Sequence, residues 1–252
     1  FFSWGDYEFK QIGDKIFFSI FHAISAFNNA GFTLFPEGLA HPLISQNISF
    51  MTIMAATIVL GGLGFGTIHD LFSYRAVLMR RKNPWKHLKV NSKISFYSTI
   101  VLILVGSLFY GLLENKEILD GLKIGSQSFL SFIQITIGRT AGFNIMEIGD
   151  LALPTLLVLI ILMFRGGATG STAGGIKTST FTVVLMNAIS TIRGRKRVEL
   201  FKHTIPVEML NLALSVFLFT LGGVLIGIFL LTITDGHLGL IRIVFEQVSA
   251  FC

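Results

Sequence analysis

The chain has 252 residues, 52% of them hydrophobic and only 13% charged, and its mean hydropathy of +0.72 excludes a soluble domain of ordinary composition in favour of an integral membrane protein. The formal charge of +6 does not mark a nucleic-acid surface, because twelve of the twenty Lys and Arg residues fall in two short connections. That is the distribution expected of cytoplasmic loops under the positive-inside rule, and we read no nucleic-acid partner from it.

In chain order, Phe1 to Asp14 mixes aromatic and acidic groups like an external surface. No initiator Met or signal-peptide pattern precedes it, so the chain is expected to begin inside a larger protein. Ile16 to Phe27 is apolar but too short to cross a ~30 Å hydrocarbon core, and predicts a re-entrant half-helix. Gly31 ends it, and Pro36, Gly38 and Pro42 mark a loop. Ile48 to about Leu71 predicts a spanning helix, with the glycines between Gly61 and Gly66 near its inner end serving close helix packing. The first basic loop follows, with Arg75, Arg80, Arg81, Lys82, Lys86, Lys89 and Lys93.

The plan then recurs. Ile94 to Leu113 predicts a spanning helix running outward, and Ile124 to Ile137 a second half-helix closed by Gly142. From Ala152 the chain is apolar to about Thr191, ~60 Å of helix if unbroken and about twice what a bilayer needs. The interruption is visible as Gly166-Gly167-Ala168-Thr169-Gly170-Ser171-Thr172-Ala173-Gly174-Gly175. A second basic loop carries Arg193, Arg195, Lys196, Arg197 and Lys202. Met209 to Ile233 predicts a third spanning helix, and Leu240 to Phe251 is amphipathic, ending in Ser249-Ala250-Phe251 as the first half-helix ends in Ser25-Ala26-Phe27. The acidic residues Asp6, Glu8, Asp14, Glu37, Glu114, Glu117, Asp120, Glu147, Asp150 and Asp235 occupy the intervening loops, read as outside.

The repeat is the informative feature. Ser25 to Thr33 aligns without gaps on Thr136 to Asn144, a period of 111 residues, and both copies contain Ala-Gly-Phe: Ala30-Gly31-Phe32 and Ala141-Gly142-Phe143. Internal repetition of helix, half-helix, glycine turn and helix is a mark of channel and transporter folds. Non-helical backbone at membrane depth survives only where protein or a water-filled cavity satisfies it. Glycine lets successive carbonyls face one way, and a ring of carbonyls can replace the hydration shell of a monovalent cation. The C-terminal end of each half-helix adds partial negative charge. Asn29, Ala30 and Gly31, with Thr140, Ala141 and Gly142, are therefore the candidate carbonyl donors; a re-entrant turn with purely structural duties is the alternative.

The order Ser-Ala-Phe-Asn-Asn-Ala-Gly-Phe, Gly-Arg-Thr-Ala-Gly-Phe and Gly-Gly-Ala-Thr-Gly-Ser-Thr-Ala-Gly-Gly-Ile-Lys-Thr resembles the Trk/Ktr/HKT superfamily of potassium-uptake proteins, most nearly its Ktr-type bacterial transport subunits. The resemblance covers essentially the whole chain. It implies an all-α polytopic membrane protein of repeated helix–pore-helix–helix units around one ion pore, with K+ as the transported ion and no organic cofactor or enzymatic chemistry. Four repeats are implied, each with one filter glycine. By that pattern residues 1–72 are the second repeat from its pore helix onward, 73–93 a cytoplasmic loop, 94–192 the third repeat, 193–208 a second cytoplasmic loop, and 209–252 the fourth repeat as far as its filter. The resemblance also implies that Gly166–Gly175 is an intramembrane gate, and that full-length subunits form a homodimer in the cell membrane with a cytosolic nucleotide-binding regulatory ring (RCK/KtrA type).

Other residues leave choices open. Lys177 either presents an ammonium that opposes cation passage or anchors a helix end at the inner surface. Arg165, inside an apolar span, pairs with a carboxylate, holds loop carbonyls or snorkels to water. Arg139 is expected to brace the second turn from behind, and Asn28 and Asn29 either hydrogen-bond the filter or merely favour a turn through their side chains. His22 reads as a packed, satisfied histidine. A phosphate loop is disfavoured: Gly170 and Gly175 have the right separation, but Ile176 stands where the lysine is needed and no strand precedes them. A nucleotide-dependent membrane enzyme or pump using the glycine runs is nonetheless the competing hypothesis, and a membrane scaffold without flux a third.

Overall fold

The computed structural model describes the chain except residues 1, 6, 8, 10, 74–77, 79–87, 115–122, 144, 147, 148, 150, 196 and 202. Arg75, Arg80, Arg81, Lys82 and Lys86 of the first basic loop lie outside the described residues. So do Lys196 and Lys202 of the second, and Asp6, Glu8, Glu117, Asp120, Glu147 and Asp150 of the loops read as external.

The first half-helix is α1, Ile12–Phe27, which starts before the expected Ile16 and places Asp14 in its first turn, where a carboxylate suits the helix dipole. At 16 residues it is about 24 Å long, still short of a bilayer core. A one-turn helix at Pro42–Ser45 leads to Asn47, whose side chain caps the next helix by accepting from the Phe50 amide at 3.1 Å.

The helix expected from Ile48 to Leu71 is not continuous. It is α2, Ile48–Leu63, followed by α3, Phe65–Phe72, with a bend of 103° between them. Gly64 makes the corner at φ 77°, a left-handed conformation natural to glycine. The first amide of α3, on Phe65, donates to the Gly170 carbonyl at 3.2 Å, and the Gly62 and Gly61 carbonyls near the end of α2 accept from the amides of Ala168 at 2.9 Å and Thr172 at 3.4 Å. Backbone groups freed by the break are thus re-paired by a segment about a hundred residues on, which is what makes a broken helix tolerable in hydrocarbon.

The remaining helices are α4, Val90–Leu113; α5, Ile124–Thr140; α6, Leu153–Phe164; α7, Thr178–Ile192; α8, Val207–Asp235; and α9, Leu240–Phe251. The apolar stretch from Ala152 to Thr191 is broken where its length required, between α6 and α7. Among the described residues α4 and α8 are long and apolar enough to cross a membrane, and the bent pair of α2 and α3 would be a third span. The second basic loop holds a feature the sequence reading lacks: an antiparallel hairpin of β1, Glu199–Leu200, and β2, His203–Thr204. Phe201 at its tip stacks on Tyr97 of α4 with centroids 6.1 Å apart, so the hairpin docks on the start of that helix.

Two apolar cores hold these elements. Ala26 of α1, Met51, Met54 and Ile58 of α2, and Ile133 and Ile137 of α5 share the first. Ile135 of α5 faces the second, with Leu156, Leu159 and Met163 of α6 and Phe245 and Val248 of α9. Helix α5 is therefore the common wall, packed against α4, α2 and α6. Helix α8 leaves Phe219, Ile226 and Phe229 exposed, the surface expected against lipid.

Candidate ion-conduction site

The two repeated turns lie against one another. Both glycines are left-handed, Gly31 at φ 74° and Gly142 at φ 68°. A Cβ placed on Gly31 would collide with the Ala141 carbonyl oxygen and come within 3.2 Å of the Gly142 carbonyl carbon. The first turn is held from within: Ser25 Oγ donates to the Phe32 carbonyl at 2.7 Å, and the Ala30 amide to the Ser25 carbonyl at 2.9 Å. It is also held from across, because Thr140 Oγ1 donates to Asn29 Oδ1 at 2.9 Å. Those two residues occupy equivalent positions, 111 residues apart, so the repeats bond to each other at matching points.

Gly61 explains the closeness. Its Cβ would strike the Phe27 carbonyl oxygen, so α2 can approach the C-terminal end of α1 only without a side chain there. A cavity of about 220 Å³ borders both turns and the end of α9, with Asn29, Ala30, Ala141, Gly142, Met163 and Ser249 among its walls.

Beneath the turns, residues 166–175 form a folded-back loop. Gly166 donates to the Ile176 carbonyl at 3.0 Å, Ile176 to the Phe164 carbonyl at 3.2 Å, and Gly167 to the Gly174 carbonyl at 3.3 Å. The Gly175 amide reaches the Phe251 carbonyl of α9 at 3.3 Å. Small residues are required by contact: a Cβ on Gly166 would overlap the Gly174 carbonyl, and one on Gly174 the Cys252 carbonyl. Thr172 Oγ1 donates to the Phe27 carbonyl at 2.8 Å, and Thr169 and Ser179 hydroxyls pair at 2.5 Å. Ala173 is buried, its carbonyl accepting from Lys177 Nζ at 2.6 Å. The amides of Gly166, Gly167, Ala168, Ser171, Thr172 and Gly175 already bond to carbonyls, so much of the N–H capacity of this glycine run is spent within the protein.

The charged residues separate. Arg165 Nη2 donates to Ser98 Oγ of α4 at 2.9 Å and Thr182 Oγ1 of α7 at 3.4 Å, with its guanidinium 4.9 Å from the Phe181 ring centroid. Among the described residues its hydrogen-bond partners are hydroxyls rather than the carboxylate or loop carbonyls considered from sequence. Arg139 is 3% exposed, and among the described residues its Nε and Nη1 have no hydrogen-bond partner. Asn28 is exposed and its Nδ2 bonds back to the Ile24 carbonyl at 2.9 Å, capping α1. His22 is buried, with Nδ1 2.8 Å from the Phe18 carbonyl and its ring among Trp4, Phe18 and Phe35.

This architecture has known counterparts. A family model described as a cation transport protein, TrkH, matches residues 10–252. The chain belongs to the TrkH family. Ktr system potassium uptake protein B of Vibrio alginolyticus is 34% identical over 238 residues, covering 94% of this chain and 50% of that protein. The protein of the same name from Bacillus subtilis is 36% identical over 242 residues, covering 94% and 51%. The crystal structure of the potassium transporter TrkH from Vibrio parahaemolyticus shares the fold, with a TM-score of 0.70 at 18% identity over 87% of this chain and 46% of that one. The chain thus spans about half the length of the curated relatives it matches. These relatives carry transporter names, and none of these matches supports the nucleotide-driven enzyme or pump.

Within this TrkH-family chain, the sequence located both turns and the loop but missed what joins them. Asn29 is read there as a carbonyl donor whose side chain bonds the filter or favours a turn, with no partner named; its side chain bonds both Thr140 and Thr172. One signal was available: Asn29 and Thr140 are polar residues at the same repeat position.

Proposed function

We propose that the full-length protein conducts potassium across the cell membrane, through a filter of backbone carbonyls, controlled by the glycine-rich loop. The observation carrying this reading is the abutment of two equivalent left-handed glycine turns, each after a half-helix, directly over a loop of small residues. Asn29, Ala30 and Gly31, together with Thr140, Ala141 and Gly142, supply carbonyls that take over from water around the ion. The C-terminal ends of α1 and α5 make the site favourable for a cation. Gly166 to Gly175 is the gate, and Lys177 holds it folded through the Ala173 carbonyl. Asn28 braces the first turn by ending α1, and buried Arg139 braces the second by packing and charge. The relatives named as potassium uptake proteins favour K+ as the ion.

On this reading the filter faces outside and the basic loops face the cytoplasm. The full-length protein is a homodimer, and a cytosolic nucleotide-binding ring docks on its inner face. The test is rubidium or potassium uptake by the full-length protein in cells lacking their own potassium uptake. Uptake is expected for the native sequence, with Gly142→Ser weakening the preference for potassium over sodium. No flux above the empty-vector level would leave the scaffold reading. Nucleotide hydrolysis by this subunit, lost in Lys177→Ala, would favour the pump.

A further inference from the structure

One side chain joins both turns to the loop below. Asn29 is 9% exposed and sits in the left-handed region at φ 53°, which asparagine tolerates better than most residues. Its Oδ1 accepts from Thr140 of the second turn at 2.9 Å, and its Nδ2 donates to Thr172 Oγ1 of the loop at 3.1 Å. Nδ2 also lies 3.4 Å from the carbonyls of Ile58 and Phe27, which can only accept, and this fixes which way the amide points. Thr172 Oγ1 then donates to the Phe27 carbonyl at 2.8 Å, at the last residue of α1. A single relay therefore runs Thr140, Asn29, Thr172, Phe27: second turn, first turn, loop, half-helix end.

We infer that Asn29 is a positioning residue through which the glycine-rich loop sets the geometry of the filter, so that the state of the loop governs ion preference as well as flux. The inference rests on the conduction reading above. The loop cannot leave its place beneath the turns without withdrawing the Thr172 hydroxyl from Asn29. Once Thr172 leaves, Nδ2 retains only its two long contacts, and Oδ1 is free to turn away from Thr140. A buried amide with an unmade bond reorients to recover it, and here the backbone that turns with it is the candidate carbonyl ladder. A loop that merely blocked the path would open without any effect on the filter.

Thr172→Val keeps the shape of the side chain and removes the hydroxyl; Thr172→Ser restores it. In the full-length protein, with potassium and sodium uptake measured separately, Thr172→Val is expected to lower the potassium-to-sodium ratio of apparent affinities by about three- to tenfold, the worth of one hydrogen bond. Serine is expected to return the ratio to near the native value. Thr140→Val breaks the same relay at its other end, so the two valines together are expected to change the ratio little more than either alone. A changed maximal rate with an unchanged ratio in Thr172→Val, or effects of the two valines that multiply independently, would overturn the coupling. Gly142→Ser is the internal control. If it alters the ratio while Thr172→Val does not, only the coupling fails; if neither does, the carbonyl filter itself fails.

Discussion

Gly31 and Gly142 occupy the same place in the repeat and share a left-handed backbone, yet their surroundings differ. An added Cβ at Gly31 would run into the Ala141 carbonyl, whereas at Gly142 no atom lies within 4 Å. Both alanine variants carry the left-handed penalty of roughly 1–2 kcal/mol, but only Gly31→Ala must also displace a carbonyl of the neighbouring turn. Gly31→Ala is therefore expected to lose potassium-over-sodium preference to a greater extent than Gly142→Ala, read as the ratio of uptake rates in one cell background. Equal losses would mean that the turns are not packed as described. Both glycines were legible because they recur with their neighbours at a fixed period. Which of the two is crowded was not, since the crowding atom belongs to the other copy. Arg165 was half legible in the same way: an ionisable group in an apolar span announces itself, but its hydroxyl partners at Ser98 and Thr182 stand 67 and 17 residues away. Arg165→Met is expected to lower the unfolding free energy of the purified full-length protein by about 1.5–3 kcal/mol, the range for hydrogen bonds to a charged group, seen as a lower thermal midpoint in detergent. An unchanged midpoint would show that the guanidinium is solvated rather than bonded.

Among the elements, two broken helices give opposite lessons. The break between α6 and α7 followed from length alone, since some forty apolar residues cannot be one span. The corner at Gly64 escaped, because Ile48 to Leu71 has the length of one span and its glycines are ordinary in membrane helices. Holding the bend are hydrogen bonds from the Ala168 and Thr172 amides and to the Gly170 carbonyl, which no local pattern encodes. The two breaks are thus one joint, the glycine-rich loop seated in the corner of α2 and α3. Its far side leans on α9, where a Cβ on Gly174 would overlap the Cys252 carbonyl. Gly174→Ala is accordingly expected to push the loop from its seat and raise flux, as shortening Gly166–Gly175 would. Gly170→Ala carries the left-handed penalty at φ 75° but meets no atom within 4 Å of the added carbon, so without a backbone clash it is expected to raise flux less. Uptake initial rates at matched expression decide this, and a fall in flux for Gly174→Ala would argue against a blocking loop.

At the scale of the whole molecule, orientation follows from charge. Moving a Lys or Arg to the centre of a spanning helix costs about 2.5–3.5 kcal/mol on insertion scales, so clustered basic residues stay on the side where the chain is made. Helix α4 begins beside Lys89 and Lys93, and α8 begins just after the hairpin that follows Arg193, Arg195 and Arg197. Both helices lead away from basic ends, and on the proposed topology both run outward. Glu37 lies at an exposed position in the connection between the first glycine turn and α2, on the far side of α2 from its Gly61–Leu63 end. If the basic loops are cytoplasmic, Glu37 must face outside, and this can be read with one thiol at a time. The one cysteine of this chain is Cys252, with Sγ against the Met163 carbonyl, a contact that a serine hydroxyl can keep. In the full-length protein with Cys252 and any cysteine outside this chain replaced by serine, Glu37→Cys is expected to react with a membrane-impermeant thiol reagent added to intact cells. Arg195→Cys, at an equally exposed position, is expected to react only after the cells are opened. The reverse pattern would invert the topology, turn the filter toward the cytoplasm and remove the case for uptake through it.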